Sequence, residues 1–212
     1  MSKVKFMLTA ALSLAIFVSM VLNSSAIELT TNGDFETGDY TGWTQFPTGV
    51  GQQTITNVNP FEGTFAASID NAVAPSNSLI KQANIGIGTV TPGQTIEISF
   101  AARGSLGVGA VAFAEFFSEL DGGGTSKNEI LGGGPLALDP DPNVWKVFNF
   151  TTTAGPDVSG GVTLQLGATT AAISGSTIHM WYDAASVSVI PEPASVVLLG
   201  LAGLALISTR RR

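Results

Sequence analysis

Short segments that alternate apolar and polar side chains, separated by glycine-rich turns, fill the chain between residues 27 and 190. In the segment 94–103, Ile96, Ile98 and Phe100 lie on one face and polar side chains on the other, which is the period of a half-buried β-strand. No helix-period segment of useful length interrupts this pattern. We therefore predict an all-β, two-sheet jelly-roll sandwich. The predicted strands are Gln52–Val58, Thr64–Asp70, Ser78–Ile85, Gln94–Arg103, Ala110–Leu120, Val144–Thr152, Val162–Leu166 and Thr177–Val189.

The N-terminal end differs from this body. Lys3 and Lys5 precede the apolar run 6–22, and small residues follow at 24–26. A charged start, an apolar middle and a small-residue site are typical of a secretory signal peptide, which we predict over residues 1–26. The alternative is an uncleaved N-terminal anchor.

The C-terminal segment 190–212 has three parts in order: the Pro191-Glu192-Pro193 motif, an apolar run and a cluster of arginines. A helix over residues 194–208 would be about 22 Å long, which is shorter than the bilayer core of about 30 Å. We predict a short transmembrane helix with its arginines on the cytoplasmic side. The alternative is a buried core helix. The predicted anchor residues are Ala194, Leu198, Leu201, Leu204, Ile207, Arg210, Arg211 and Arg212.

This arrangement resembles the PEP-CTERM sorting signal of Gram-negative bacteria that make exopolysaccharide. The resemblance implies that an exosortase-type membrane enzyme recognises Pro191, Glu192 and Pro193 and processes the tail, so that the membrane anchor is transient. It also implies export through the inner membrane to the cell surface or the extracellular matrix.

The body is strongly acidic. Between residues 27 and 190, four lysines and arginines stand against fifteen acidic residues, which gives a net charge of −11. Such a surface repels nucleic acid, so no nucleic-acid partner is expected, while a divalent cation suits it better. The chain has no cysteine, which excludes disulfides and thiol chemistry.

Four motifs follow one another along the body: NGDFETG at 32–38, GW at 42–43, EGTFAA at 62–67 and WYD at 181–183. This order is similar to galactose-binding-like jelly rolls, especially carbohydrate-binding-module-like domains. The resemblance implies a sandwich over residues 27–189 that often carries a structural calcium between its first and last strands. The chain departs from the pattern at Ala184, where many relatives have a second acidic residue.

Calcium binds six to eight oxygen atoms from carboxylates and backbone carbonyls. Glu36 and Asp183 are its predicted side-chain ligands, because a jelly roll brings its first and last strands together. On a regular strand Asp183 would share a face with Trp181 and Val187, and an inward carboxylate needs a partner. The alternative is an Asp183 that is exposed or bonded to the backbone. Asn32, Asp34 and the backbone near Gly63 are further candidates, while Asp139 and Asp141 are predicted to form a solvated turn.

No catalytic residue is assigned. A glycosidase needs two carboxyl groups about 5–9.5 Å apart, whereas Glu115 and Glu119 on one strand would have backbones about 13 Å apart. His179 is the only histidine, which disfavours a zinc site. The chain is therefore predicted not to be an enzyme.

Tyr40, Trp145 and Tyr182 are the predicted glycan-binding residues, because sugar sites stack aromatic rings on pyranose faces. Packing in the core is the alternative for each of them, and Trp43 and Trp181 are predicted to be core residues. Phe46, Phe116 and Phe117 are further candidates for stacking.

Three functions remain open on these grounds. The first is an exported, non-enzymatic protein of the cell surface or exopolysaccharide matrix that binds extracellular polysaccharide. The second is a purely structural or adhesive surface protein without a sugar site. The third is a glycan-acting hydrolase.

Overall fold

The computed structural model describes residues 25–47 and 52–191, and eleven strands and one 3₁₀ turn form within these ranges. Residues 1–24 of the predicted signal peptide lie outside the described residues. The tail from Glu192 onward, with all the predicted anchor residues, lies outside them as well. No helix within the described ranges is long and apolar enough to cross a membrane. The elements are β1 (Ile27–Glu28), β2 (Thr44–Pro47), β3 (Gln52–Thr56), β4 (Ala66–Asn71), β5 (Ser76–Ile85), β6 (Thr95–Leu106), β7 (Val111–Glu119), β8 (Thr125–Ile130), the 3₁₀ turn (Leu131–Gly133), β9 (Lys146–Thr153), β10 (Val162–Thr170) and β11 (Ile178–Val189).

The strands form two sheets, and residues Glu28–Val189 form one compact unit. The first sheet has the order β3-β4-β11-β6-β9, with β1 beside β11, and the second sheet has the order β2-β5-β10-β7-β8. The neighbouring strands β4, β11, β6 and β9, and likewise β5, β10, β7 and β8, are paired antiparallel. The prediction of an all-β, two-sheet sandwich is confirmed.

The inward faces of the two sheets meet in one core. Ile96, Ile98 and Phe100 of β6, which the alternation places inward, are at most 1% exposed and cluster with Leu164 and Leu166 of β10. Fully burying such a side chain contributes about 1.5–3 kcal/mol. The strands that the alternation does not predict, β1, β2 and β8, have mostly exposed or half-exposed side chains and therefore lack an apolar face to reveal them.

A bulge in β11 changes which side chains face the core. The pairing with β6 shifts between Asp183 and Ser186, and Ala184 has a φ of 48°. An inserted residue reverses the alternation, so Trp181 lies on the outer face while Val187 is buried in the core. The expectation that Asp183, Trp181 and Val187 share a face is therefore wrong, and so is the core position predicted for Trp181.

Tyr182 ties the two sheets together. Its side chain is fully buried, and its hydroxyl donates a hydrogen bond of 2.9 Å to the carbonyl of Gly167 in the second sheet. A ring without exposed surface cannot stack on a sugar. The prediction that Tyr182 binds glycan is therefore wrong, because an aromatic residue next to the bulge still points inward.

Replacing Tyr182 with Phe is expected to lower the free energy of unfolding by about 0.5–1.5 kcal/mol, because the carbonyl of Gly167 loses its buried donor. Binding of polysaccharide should stay unchanged. Chemical denaturation and a binding titration on the same preparation measure the two effects. Weaker binding with unaltered stability would show that Tyr182 acts at a binding site after all.

Candidate functional site

A row of outward-facing side chains crosses the second sheet. Lys81 on β5 pairs with Gln165 on β10, and Gln165 pairs on its other side with Glu115 on β7. Antiparallel partners have Cβ atoms about 4.5–5.5 Å apart, so these three polar side chains are neighbours. Thr44 on β2 and Ile130 on β8 complete the row.

Apolar side chains beside this row enclose a groove of about 310 Å³. Leu79 and Phe113 come from the sheet itself, and Pro135 comes from the loop that follows the 3₁₀ turn. We call this groove the cleft. Its lining residues are Asn77, Leu79, Val111, Phe113, Glu115, Ile130, Gly134, Pro135 and Gln165.

The polar groups of the cleft are held by each other. The amide Nε2 of Gln165 donates to Oε2 of Glu115, and Gln165 is only 4% exposed. Burial raises the pKa of the Glu115 carboxyl above its ordinary value, while the nearby Lys81 and the bond from Gln165 act in the opposite direction. The carboxylate can accept hydrogen bonds from hydroxyl groups, and the neighbouring ammonium and amide N–H groups can donate hydrogen bonds to them.

Lys81 is flanked by aromatic rings. Its Nζ lies 5.1 Å from the ring centroid of Phe46 and 5.6 Å from that of Phe117. Both rings were candidates for stacking from the sequence, and Phe46 is 44% exposed. The third candidate, Phe116, is fully buried.

Gly167 has no side chain, which leaves space between Leu79 and Phe113 at the wall of the cleft. Gly167 pairs with Leu79 on one side and Phe113 on the other. A Cβ atom there would lie 2.4 Å from Cδ2 of Leu79 and 2.8 Å from the carbonyl of Ser78. A side chain at this position would displace one wall of the cleft.

Replacing Glu115 with Gln is expected to stabilise the fold at neutral pH, because burial disfavours the carboxylate. A carboxyl whose pKa is raised on folding contributes stability below its unfolded pKa, and this contribution is lost as the pH rises through the folded pKa. The gain of the variant over the wild type should therefore vanish below the ordinary pKa of 4.5 and appear above it. Thermal unfolding across this pH range measures the difference, and a gain that is equal at every pH would contradict it.

The predicted calcium ligand Glu36 holds the loop that precedes β4. Its Oε1 accepts hydrogen bonds from the backbone N–H groups of Phe65 at 2.8 Å and Thr64 at 2.7 Å. These bonds lower the pKa of the Glu36 carboxyl. The carboxylate thus faces backbone donors of the loop.

Asp183 holds the same loop a few residues earlier. Its Oδ2 accepts from the N–H groups of Phe61 at 2.9 Å and Glu62 at 3.3 Å, and its Oδ1 accepts from Ala184 at 2.7 Å. Asp183 is fully buried, and burial raises the pKa of its carboxyl to about 6.

The two carboxylates therefore bond to backbone N–H groups of one loop, which for Asp183 is the alternative named from the sequence. Among the described residues no group of three or more His, Asp and Glu side chains is placed to hold a metal ion. A cation bound by Glu36 and Asp183 would take its other ligands from backbone carbonyls, which calcium accepts. Calcium stays a prediction.

The predicted glycan-binding residues lie away from the cleft. Tyr40 packs edge-on against Phe35, with centroids 6.0 Å apart, and its hydroxyl bonds to the carbonyl of Thr54. Trp145 is partly exposed beside the first sheet. Trp43 is only 6% exposed, which confirms its predicted place in the core. Glycan contacts of Tyr40 and Trp145 stay predictions.

The sequence pattern missed the polar row of the cleft. Gln165 and Lys81 lie in predicted strands, but only the pairing of β5 with β10 shows that they are neighbours. Glu115 was considered for catalysis with Glu119, which lies beyond a register shift at the end of β7. The single histidine, His179, lies on the first sheet, and its Nδ1 is 2.6 Å from Oδ1 of Asp70 on the neighbouring strand.

Two family models match the chain. A family described as carbohydrate binding domain matches residues 28–170, and a PEP-CTERM protein-sorting motif matches residues 189–212. No curated protein matches the chain.

Several solved structures share the fold. The chain matches the enzymatically active domain of tailspike protein 4 from bacteriophage CBA120 at 15% identity and a TM-score of 0.58, covering 77% of this chain and 22% of that one. It matches the CBM22-1 xylan-binding domain of Paenibacillus barcinonensis Xyn10C at 12% identity and a TM-score of 0.53, covering 79% and 96%. It also matches the C-terminal family 22 module of Clostridium thermocellum Xyn10B at 18% identity and 0.51, covering 80% and 96%. The chain spans about a fifth of the tailspike chain and nearly all of the two modules.

Proposed function

The chain belongs to the carbohydrate binding domain family that matches its residues 28–170, and from this we propose that it is an exported, non-enzymatic surface protein that holds polysaccharide in the cleft. The observation that carries the proposal is the polar row Lys81, Gln165 and Glu115 on three adjacent strands beside an apolar groove. A sugar ring offers apolar C–H faces and polar hydroxyl edges. Such a ligand fits apolar walls with a few convergent polar groups.

The solved neighbours support this proposal. The Paenibacillus barcinonensis domain is a xylan-binding domain. In the Clostridium thermocellum module, amino acids of a cleft have a role in ligand binding. By analogy we propose that the ligand of this chain is a polysaccharide, and xylan is the first polymer to test.

The C-terminal motif indicates where the protein is delivered. A PEP-CTERM motif indicates export across the membrane to the cell surface and implies processing by exosortase. We propose that the processed protein works in the exopolysaccharide matrix, where the cleft would hold a matrix polymer.

Affinity electrophoresis of the purified protein tests the proposal. We expect slower migration in a gel that contains xylan or a soluble β-glucan than in a plain gel, with no release of reducing sugar. Equal migration in all gels would overturn polysaccharide binding and favour the structural or adhesive role. Release of reducing sugar would favour the hydrolase.

Calcium binding at Glu36 and Asp183 is part of the proposal and has its own test. A ligand that binds only the native state at 100 times its Kd stabilises that state by about 2.7 kcal/mol. Adding a chelator should therefore lower the melting temperature of the purified protein, and Asp183→Asn should remove the difference. Equal melting temperatures with calcium and with chelator would exclude the cation from this site.

A further inference from the structure

Three aromatic side chains form a second surface, on the first sheet. Trp181 on β11 pairs with Arg103 on β6, and the guanidinium carbon of Arg103 lies 4.0 Å from the ring centroid of Trp181 and 5.1 Å from that of Trp145. Phe61, which is 40% exposed, packs edge-on against Trp145 with centroids 5.9 Å apart. We call Phe61, Trp145 and Trp181 the aromatic surface.

Arg103 fixes this surface from beneath. It is only 3% exposed, and its guanidinium donates to the carbonyls of Val58 at 3.0 Å and Pro142 at 3.4 Å. Among the described residues the ion pairs are Lys127–Glu129 and His179–Asp70, so Arg103 has no carboxylate within ion-pairing distance. A buried cation between two indoles is stabilised by the ring faces. Arg103 therefore holds the two indole rings in place, together with the loops that contain Val58 and Pro142.

The indole of Trp145 is fixed on its other side as well. Its Nε1 donates to the carbonyl of Asn59 at 3.0 Å, in the loop whose amides bond to Asp183. Rings that are already immobilised lose little conformational entropy when a ligand binds. The aromatic surface is therefore preorganised before any ligand arrives.

Polar groups suited to sugar hydroxyls stand next to the rings. His179 lies two residues before Trp181 on the same face of β11, and its Nδ1 is 2.6 Å from Oδ1 of Asp70. Both side chains are about half exposed, at 50% and 43%. Ser68, which pairs with Trp181 on β4, donates to Oδ2 of Asp70. The surface thus combines aromatic rings with a paired acceptor and donor.

We propose that the aromatic surface binds a second segment of polysaccharide, on the sheet opposite the cleft. This inference rests on the proposed function and extends it to two sites. A glycan fits better than a protein partner, because sugar hydroxyls match the exposed Asp70–His179 pair while pyranose faces match the rings. A protein with binding sites on both sheets cross-links polymer chains, and linked sites hold a polymer more tightly than either site alone.

Tryptophan emission separates the two sites. The chain has three tryptophans: Trp145 and Trp181 belong to the aromatic surface, Trp43 is buried, and none lines the cleft. Titrating the purified protein with xylohexaose, and in parallel with cellohexaose, should change the emission and give two sugars bound per protein by calorimetry. Glu115→Ala should retain the emission change and weaken only the binding step that does not change the emission.

Variants of the aromatic surface complete the test. Phe61→Ala and Asp70→Asn should each weaken the emission-detected binding about fivefold, by loss of about 1 kcal/mol, and leave the cleft site intact. Ile87→Ala, at an exposed turn that lines neither the cleft nor the aromatic surface, is the matched control and should bind as the wild type does.

The outcomes are distinct. Binding at a stoichiometry of one without an emission change overturns the second site and leaves the cleft standing. An emission change that disappears in Glu115→Ala, or persists unweakened in Phe61→Ala, also overturns it. No binding of either sugar overturns the proposed function itself. The sugar-free protein could instead self-associate, and Phe61→Ala could abolish this association. That result would assign the surface to a protein partner and overturn the inference.

Discussion

Replacing Glu115 with Ala is expected to weaken polysaccharide binding at the cleft about 10- to 100-fold. The carboxylate is the charged acceptor of the polar row, and hydrogen bonds to charged groups contribute about 1.5–3 kcal/mol. Since 1.4 kcal/mol corresponds to about tenfold in affinity, a single lost bond to a sugar hydroxyl gives this range. Calorimetric titration with xylohexaose measures the affinity of the cleft site.

Glu119→Ala is the matched control for this change. Glu119 lies on the same strand and the same side, but it borders a different groove at the Gly122-Gly123 turn. The two variants carry the same charge change. Equal losses in both variants would show a general effect of charge, and unchanged binding in Glu115→Ala would remove Glu115 from the site.

Asp183→Ala is expected to cause the largest loss of stability, about 3–5 kcal/mol. Its carboxylate accepts hydrogen bonds from Phe61, Glu62 and Ala184 while fully buried. Removing it strands these N–H groups, and each buried donor left without a partner costs at least about 1 kcal/mol. For a domain of this size 1 kcal/mol shifts the melting temperature by about 2–4 °C, so a fall of about 6–20 °C should appear in thermal unfolding.

Two further variants locate the effect of Asp183. Asp183→Asn keeps one acceptor oxygen and should lose less stability than the alanine variant. Glu36→Ala removes the exposed carboxylate that holds Thr64 and Phe65, and its loss should be smaller still. Hydrogen exchange should quicken at Phe61 and Glu62 in Asp183→Ala only. Equal stability of Asp183→Ala and Glu36→Ala would show that the buried carboxylate does not anchor the loop.

The fold follows from the sequence where one face of a strand is buried. The alternation of Ile96, Ile98 and Phe100 locates β6, because an apolar face must turn toward the core. It does not locate β2, whose four residues are all exposed. It also fails at Trp181, because the bulge after Asp183 reverses the alternation and nothing in the local pattern marks the extra residue.

The candidate sites follow from the sequence only in part. Glu36 and Asp183 were predicted as calcium ligands; in the structure both accept hydrogen bonds from the loop before β4, and their binding of calcium stays a prediction. Lys81 and Gln165 could not be joined in advance, because the partner of a strand is decided by tertiary pairing. The contacts of Arg103 with Trp145 and Trp181 could not be predicted for the same reason, because these residues come from separate strands and a loop.

The loop held by Asp183 also dictates an order of events during maturation. The bond between Phe61 and Asp183 joins residues 122 positions apart, and contacts of such separation form slowly because a long stretch of chain must first be ordered. The amides of Phe61 and Glu62 therefore stay without their carboxylate acceptor until β11, the last strand of the described residues, has docked. A newly translocated chain should accordingly be cut by proteases near Phe61 first, and acquire resistance there last.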